Sequence, residues 1–159
     1  MLGFVSEDFL TAASAFGEQG PLFGLDLGSK TIGVAVSDPA RMVATPVQTI
    51  RRTKFTKDAE HLRGLANERS IVGLVIGLPL NMDGTAGPAA QSARAFGRNL
   101  PGILDIPIAF WDERLSTAAM ERELISLDTK RAKRAENIDE MAATFILQGA
   151  IDRLRSSSP

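Results

Sequence analysis

An acid-glycine step interrupts two apolar strands between residues 23 and 38, and this stretch constrains the fold more than any other. It reads Phe-Gly-Leu-Asp-Leu-Gly-Ser-Lys-Thr-Ile-Gly-Val-Ala-Val-Ser-Asp. Branched residues alternate over 32–36 with the period of a pleated strand, and the apolar run over 22–27 predicts a buried strand before it. A polar turn over 28–30 joins them, so the pattern predicts a hairpin.

Asp26 stands between Leu25 and Leu27 in the first of these strands. Burying an ionised carboxylate in such surroundings is costly unless a cation or hydrogen-bond donors meet it. Capping the turn before Gly28 is a structural alternative, but the flanking leucines favour a functional role. We therefore expect Asp26 to belong to a binding or catalytic site.

After the hairpin the chain predicts alternating strands and helices. The predicted elements are a third strand over 42–50, a helix over 56–70, a strand over 71–76, a helix from residue 88, a strand over 106–110, a helix from residue 116, a polar loop over 128–137 and a last helix after residue 137. Pro46 predicts an edge position for the third strand, since proline cannot donate to a central ladder. A three-strand meander followed by two strand-helix crossovers predicts an α/β fold, with a mixed five-stranded sheet, two parallel crossover strands and helices on both faces.

With 159 residues, the chain is long enough for one domain with its own core. We predict a loose N-terminal extension over 1–21 with one or two helical turns, a single domain over 22–155 and a frayed C-terminus over 156–159. No apolar run approaches the roughly 20 residues of a membrane helix, and the first 20 residues lack the basic region of a secretory signal. We therefore expect no membrane partner and a cytoplasmic location.

Three carboxylates are predicted to converge at one end of the sheet. Asp26 lies near the end of the first strand, Glu113 follows the fifth and Asp139 lies in the first turn of the last helix, and ligands of such folds bind beyond the carboxyl ends of the strands. The chain has no Cys and one His, so a metal must be held by oxygen atoms. Oxygen-only ligands favour Mg²⁺ or Mn²⁺, and a pair of such ions promotes phosphodiester hydrolysis.

Two of these acids have structural alternatives. Asp139 and its neighbour Glu140 could simply interact with the positive end of the helix dipole. Glu113 and Arg114 could form a surface ion pair.

Phosphate-binding candidates surround the acids. The turn offers the hydroxyl of Ser29, the ammonium of Lys30 and backbone N–H groups beside Asp26. In the loop over 77–87, Asn81 and Asp83 either face the site or only form a turn.

The net charge of the chain is only −1, but its basic residues cluster in two runs. One precedes Asp139, and the other follows the third strand; their members are Lys130, Arg131, Lys133 and Arg134, and Arg51, Arg52, Lys54 and Lys57. Such runs are often only solvated surface, but the first adjoins the proposed metal site, which favours contact with a nucleic-acid backbone. With one Trp and no Tyr, the chain lacks an aromatic platform for bases, so we expect recognition of backbone and shape.

Four ordered blocks, over residues 24–38, 75–85, 112–117 and 138–147, together resemble the YqgF (RuvX) family. The resemblance implies a ribonuclease H-like fold and either Holliday junction resolution or nuclease processing of the 5′ end of pre-16S rRNA. It also implies Asp26, Glu113 and Asp139 as the metal site, with Lys30 and Arg114 as substrate or structural partners. Ser29 and Thr31 depart from the Thr and the basic residue expected at their positions.

The expected function is therefore that of a Mg²⁺- or Mn²⁺-dependent nuclease acting on structured nucleic acid. Pre-16S rRNA is the first candidate substrate, with the ribosomal pre-30S particle as an expected partner. A four-way DNA junction is an alternative substrate. We expect a monomer or a weak dimer, and symmetric cleavage of a junction would call for the dimer. A non-catalytic rRNA-binding assembly factor is a further alternative. The acid-glycine hairpin also resembles the first phosphate loop of the actin and sugar-kinase superfamily, but those proteins need a second lobe.

Overall fold

The computed structural model describes residues 8–115 and 138–157, which form a mixed sheet covered by helices. The strands are β1 (Leu22–Leu27), β2 (Thr31–Ser37), β3 (Ala44–Arg51), β4 (Gly73–Leu78) and β5 (Ile108–Asp112), and the helices are α1 (Phe9–Ala13), α2 (Phe55–Glu68), α3 (Pro88–Asn99) and α4 (Ile138–Ser156). Short 3-10 turns follow α1, α3 and β5.

The strand order is β3-β2-β1-β4-β5. β1, β2 and β3 form an antiparallel meander, whereas β1, β4 and β5 run parallel. The predicted topology is therefore confirmed. Pro46 lies on the edge strand as predicted, opposite Ala35, where the β2–β3 register shifts.

The two faces of the sheet bury separate apolar cores because successive strand residues point to opposite sides. Phe23 and Leu25 of β1 pack with the buried sides of α2 and α3. Leu22 packs instead with α1 and α4, where Leu147 is a neighbour in the same core. By this alternation, Asp26 points to the face that α4 covers.

The buried side of helix α4 differs from the side that the sequence pattern predicted. Of the predicted core positions, Ala142 and Ile146 are buried, whereas Met141 and Phe145 are only partly buried, and the side chain of Ile138 lies outside the described residues. The buried side of the helix consists of Ala142, Ala143, Ile146, Leu147, Ala150 and Ile151. Three of these six residues are alanines, and the sheet opposite presents the glycines Gly24, Gly33 and Gly77, so the helix lies close to the strands.

Two predicted strand boundaries were displaced by local hydrogen bonds. The backbone N–H groups of Met42 and Val43 donate to Asp38 Oδ1, at 2.8 and 2.9 Å, so β3 begins only at Ala44. The backbone N–H of Ile71 donates to Ala66 O at 3.0 Å and closes α2. Strand β4 accordingly starts and ends two residues later than predicted, which moves Gly77 from the predicted loop into the strand.

Residues 9–16 form the expected short helical turns, but they pack against the sheet and are therefore not loose. Phe9 and Phe16 are buried, and the Phe9 ring contacts Trp111 edge-on with centroids 5.1 Å apart. The buried Arg41 guanidinium donates to the backbone oxygens of Phe16, Gly17 and Gly20 at 2.8–3.0 Å. The helix predicted from residue 116 and the loop over 128–137 lie outside the described residues. Among the described helices, none is long and apolar enough to cross a membrane.

Candidate active site

Gly33 brings Asp26 and Asp139 to the same place. Asp26 lies opposite Gly33 in the antiparallel β1–β2 register, and directly paired residues share a face of the sheet. A Cβ built on Gly33 would lie 2.0 Å from the backbone oxygen of Asp139. The first turn of α4 therefore rests on the glycine next to Asp26, and both carboxylates belong to the α4 face at one end of the sheet.

The first turn of α4 is tied to the sheet by hydroxyl groups. Thr31 Oγ1 donates to Asp139 Oδ2, and Thr49 Oγ1 donates to Glu140 Oε2 at 3.2 Å. Asp139 thus has a defined side-chain contact with β2 in addition to its place at the positive end of the helix dipole. Thr31, at one of the positions where the chain departs from the expected pattern, orients this carboxylate.

Glu113 reaches the same face from β5. Glu113 is only 5% exposed. A Cβ built on Gly77 would lie 2.8 Å from Glu113 Oε2 and 2.5 Å from Ile146 Cδ1. The carboxylate therefore lies over β4, beside α4. The surface ion pair with Arg114 that the sequence left open is wrong, because Glu113 is buried.

Arg114 binds Asp112, the last residue of β5, rather than Glu113. Its guanidinium holds Asp112 through Nε at 3.0 and 3.1 Å and through Nη2 at 2.7 Å, and Nη1 donates to Met82 O at 3.2 Å. The Arg114 hydrogen bond lowers the pKa of Asp112 below its usual value, and the same bond raises the pKa of Arg114. Arg114 thus joins the end of β5 to the loop that follows β4.

Asn81 and Asp83 use their side chains within that loop. Asn81 Nδ2 donates to Thr85 Oγ1 at 2.9 Å, while Asp83 Oδ1 accepts from the Thr85 hydroxyl at 2.6 Å and from its backbone N–H at 2.9 Å. These Thr85 bonds lower the pKa of Asp83, with a smaller contribution from the charge of Arg114. The turn interpretation therefore has direct support, and both residues remain exposed at the edge of the site.

The predicted phosphate contacts are only partly described. Ser29 and Lys30 are exposed on the β1–β2 turn. Lys130, Lys133 and Arg134 lie outside the described residues, so their placement relative to Asp139 stays a prediction.

The donor chemistry of this face suits a divalent cation. Asp26, Glu113 and Asp139 offer carboxylate oxygens from three separate segments, and Asp26 and Asp139 are partly exposed. Within residues 8–115 and 138–157, no three His, Cys, Asp or Glu side chains are already grouped as a metal-binding cluster. An ion would therefore have to draw these side chains together, which their shared face permits.

Comparison with known proteins identifies a family over a range that includes the three acids. The family model described as "RuvX: Holliday junction resolvase" matches residues 20–153. The chain belongs to the RuvX family.

Curated RuvX relatives match nearly the whole chain. A protein from Bradyrhizobium sp. (strain ORS 278) is 63% identical over 145 residues, which make up 91% of this chain and 90% of the relative. One from Cereibacter sphaeroides (strain ATCC 17025 / ATH 2.4.3) is 61% identical over 148 residues, covering 93% of this chain and 91% of the relative. Both bear the name "Putative pre-16S rRNA nuclease".

Solved structures share the fold at low sequence identity. Thermus thermophilus RuvC in complex with Holliday junction substrate has a TM-score of 0.55 and 11% identity, covering 85% of this chain and 96% of that chain. The human cytomegalovirus terminase nuclease domain, described as Mn soaked and inhibitor bound, has a TM-score of 0.50 and 12% identity, covering 96% of this chain and 92% of that chain. This likeness confirms the predicted ribonuclease H-like fold.

Sequence reasoning missed the glycines that place the RuvX acids. Gly33 and Gly77 lie within strands, and a Cβ on Gly24 would likewise lie 2.6 Å from Leu147 Cβ. Glycine inside a strand is a known signal of close backbone approach. The glycines therefore indicate close packing on these strands, but they do not identify the segment that packs there.

Proposed function

We propose that this RuvX-family chain is a metal-dependent endonuclease that cleaves phosphodiester bonds in structured nucleic acid, with the 5′ end of precursor 16S rRNA as its substrate. The observation that carries the proposal is the placement of Asp26, Glu113 and Asp139 on the face covered by α4, at the carboxyl ends of β1 and β5. The names of the curated relatives support the choice of rRNA.

The three acids have distinct roles in this proposal. Asp26 and Asp139, both partly exposed, hold Mg²⁺ or Mn²⁺, and Thr31 keeps the Asp139 carboxylate oriented. When bound, the ion supplies Lewis-acid stabilisation of charge on the reacting phosphate. Glu113, which is almost excluded from solvent, serves as the third ligand or accepts a hydrogen bond from the attacking water and orients it.

A four-way DNA junction is the second candidate substrate, because the matching family model describes a Holliday junction resolvase. Both substrates present phosphodiester groups, which is the chemistry that the acids act on. Direct comparison on both nucleic acids separates the two.

The test is replacement of Asp26 by Asn, which keeps the shape of the side chain and removes its charge. We expect cleavage of a precursor 16S rRNA fragment and of a four-way junction to fall to the level without protein, while the melting temperature stays close to that of the wild type. Chelation of divalent ions should abolish wild-type cleavage, and addition of Mg²⁺ or Mn²⁺ should restore it.

Asp105→Asn is the matched control, because Asp105 is exposed in the loop before β5, at the other end of the sheet. It should cleave like the wild type. Full activity of the Asp26→Asn protein would sink the proposed function, and equal residual activity in all preparations would reveal a contaminating nuclease. Metal-independent rRNA binding without turnover would favour an assembly factor instead.

A further inference from the structure

A basic pocket lies beside the β1–β2 turn, between this turn, the end of β3 and α3. It has a volume of about 590 Å³ and is lined by Ser29, Lys30, Arg51, Arg52, Thr53 and Ser92. We propose that this turn pocket binds a backbone phosphate of the nucleic-acid substrate, at a distance along the strand from the bond that is cleaved. The proposal rests on the proposed nuclease function and names a substrate contact that the three acids do not provide.

Arg52 is fixed in place by the fold. Its Nη1 donates to Gly28 O at 2.6 Å, its backbone N–H donates to Lys30 O at 2.8 Å, and its guanidinium carbon lies 5.7 Å from the centre of the Phe96 ring. These contacts come from a carbonyl and an aromatic face, which orient the guanidinium without neutralising its charge. The pocket therefore contains a preorganised cation.

Lys30 and Arg51 add two further positive charges. Both are exposed, and in the described part of the chain neither has an ion pair with a carboxylate. The nearby acid, Asp58, is buried and accepts from the Thr53 hydroxyl at 3.0 Å and from its backbone N–H at 3.1 and 3.2 Å. Like charges gathered in this way repel one another, and an anion bound between them removes that cost.

The lining chemistry selects phosphate over a base. Among residues 8–115 and 138–157, every side chain that lines the pocket is charged or carries a hydroxyl group, and none is aromatic or purely aliphatic. Guanidinium groups bind phosphate through paired hydrogen bonds, and hydroxyls complete the shell of donors. A base would find no aromatic side chain to stack on among these residues.

The position of the pocket links it to the acids. Thr31 follows the turn, pairs with Arg51 in the β2–β3 register and donates to Asp139 on the α4 face. Ser92 comes from α3, whose first residue is Pro88, after the loop that leaves β4. The turn pocket and the acids therefore share one end of the sheet, and a nucleic-acid strand that passes over the turn contacts both.

The test measures binding without cleavage. In an Asp26→Asn background, Arg51→Gln is compared with Arg98→Gln, an exposed arginine in the last turn of α3 and so at the other end of the sheet. Fluorescence anisotropy with a labelled precursor 16S rRNA fragment and with a labelled four-way DNA junction gives Kd over a range of salt concentrations. Lys30→Gln provides a second variant if Arg51→Gln lowers the melting temperature.

We expect Arg51→Gln to raise Kd about five- to tenfold and to reduce the slope of log K against log salt by roughly 0.7 to 0.9, the contribution of one phosphate contact. Arg98→Gln should leave both quantities unchanged. Equal behaviour of the two variants, an unchanged salt slope, or no binding of either probe overturns the pocket. If the Asp26→Asn protein still cleaves while Arg51→Gln reduces the salt slope, the catalytic proposal is wrong and the phosphate-binding proposal stands. The two proposals can therefore fail separately.

Discussion

At the scale of single residues, the absence of a side chain at Gly33 decides where a carboxylate lies. A Cβ there would overlap the backbone oxygen of Asp139 at 2.0 Å and crowd the Glu140 nitrogen at 2.8 Å. Backbone atoms of a helix cannot rotate away as the end of a flexible side chain can. Gly33 is therefore a positioning residue for Asp139.

Gly33→Ala should cost about 1–3 kcal/mol of unfolding free energy through overpacking. Because it lifts the first turn of α4 from the sheet, it should also reduce the cleavage rate by about 100-fold. The midpoint of the Mg²⁺ titration should move to higher concentration, an effect that a loss of stability alone would not produce. Cleavage assays well below the melting temperature provide the measurement.

Gly64→Ala is the matched control, since Gly64 lies in α2 and a Cβ there meets nothing within 4 Å. Alanine in a helix interior should raise stability by about 0.5–1 kcal/mol and leave cleavage unchanged. A Gly33→Ala protein with wild-type cleavage and an unmoved Mg²⁺ midpoint would show that the close approach does not position the site.

At the scale of elements, α1 supports the strand that leads to Glu113. Phe9 packs edge-on against Trp111 of β5, and Asp8 caps the helix by accepting from the Thr11 backbone N–H at 3.1 Å. Arg41 fastens the following residues through three backbone oxygens. The N-terminal segment over 9–16, which the sequence predicted to be a loose extension, is thus part of the core on the α4 face.

Phe9→Ala should lower the free energy of unfolding by about 3 kcal/mol, because it removes a buried ring and leaves a cavity beside Trp111. Urea unfolding followed by Trp111 fluorescence is a suitable measurement. Glu18→Ala, an exposed change nearby, should stay within about 0.5 kcal/mol of the wild type. If both variants unfold at the same urea concentration, α1 does not contribute to the core in solution.

At the scale of the whole molecule, two basic runs accompany a net charge of only −1. The run that ends β3 contributes Arg51 and Arg52 to the turn pocket. The run over 130–134 lies outside the described residues, so its role follows from sequence alone. The run ends five residues before Asp139, which is the reason to expect contact with the same nucleic acid.

Charge reversal at Lys133 and Arg134, made as Lys133→Glu with Arg134→Glu, should weaken RNA binding and flatten its salt dependence. Combined with Arg51→Gln, the effects on the salt slope should add, because separate phosphates are contacted. Anisotropy titrations of the single, double and triple variants provide the measurement. An unchanged salt slope for the double variant would mean that the run is only solvated surface.

Local patterns predicted most of the fold because strand and helix periods are short-range properties. The alternation over 32–36 located β2, and Pro46 marked the edge strand. Boundaries failed where a side chain or a helix end took backbone donors, as Asp38 did for Met42 and Val43. Such bonds depend on geometry that the period of hydrophobic residues does not encode.

The order of amino acids is enough to identify the chemical groups: three candidate carboxylates, no cysteine, and an acid between two leucines near the end of a strand. The folded chain adds three facts: Asp139 lies on the same face of the sheet as Asp26, Glu113 is buried rather than paired at the surface, and Arg52 is held beside the turn pocket. These placements join residues that are far apart along the chain. Thr31 and Asp139 are 108 residues apart, and their contact depends on a helix seated on a glycine, which no local pattern specifies.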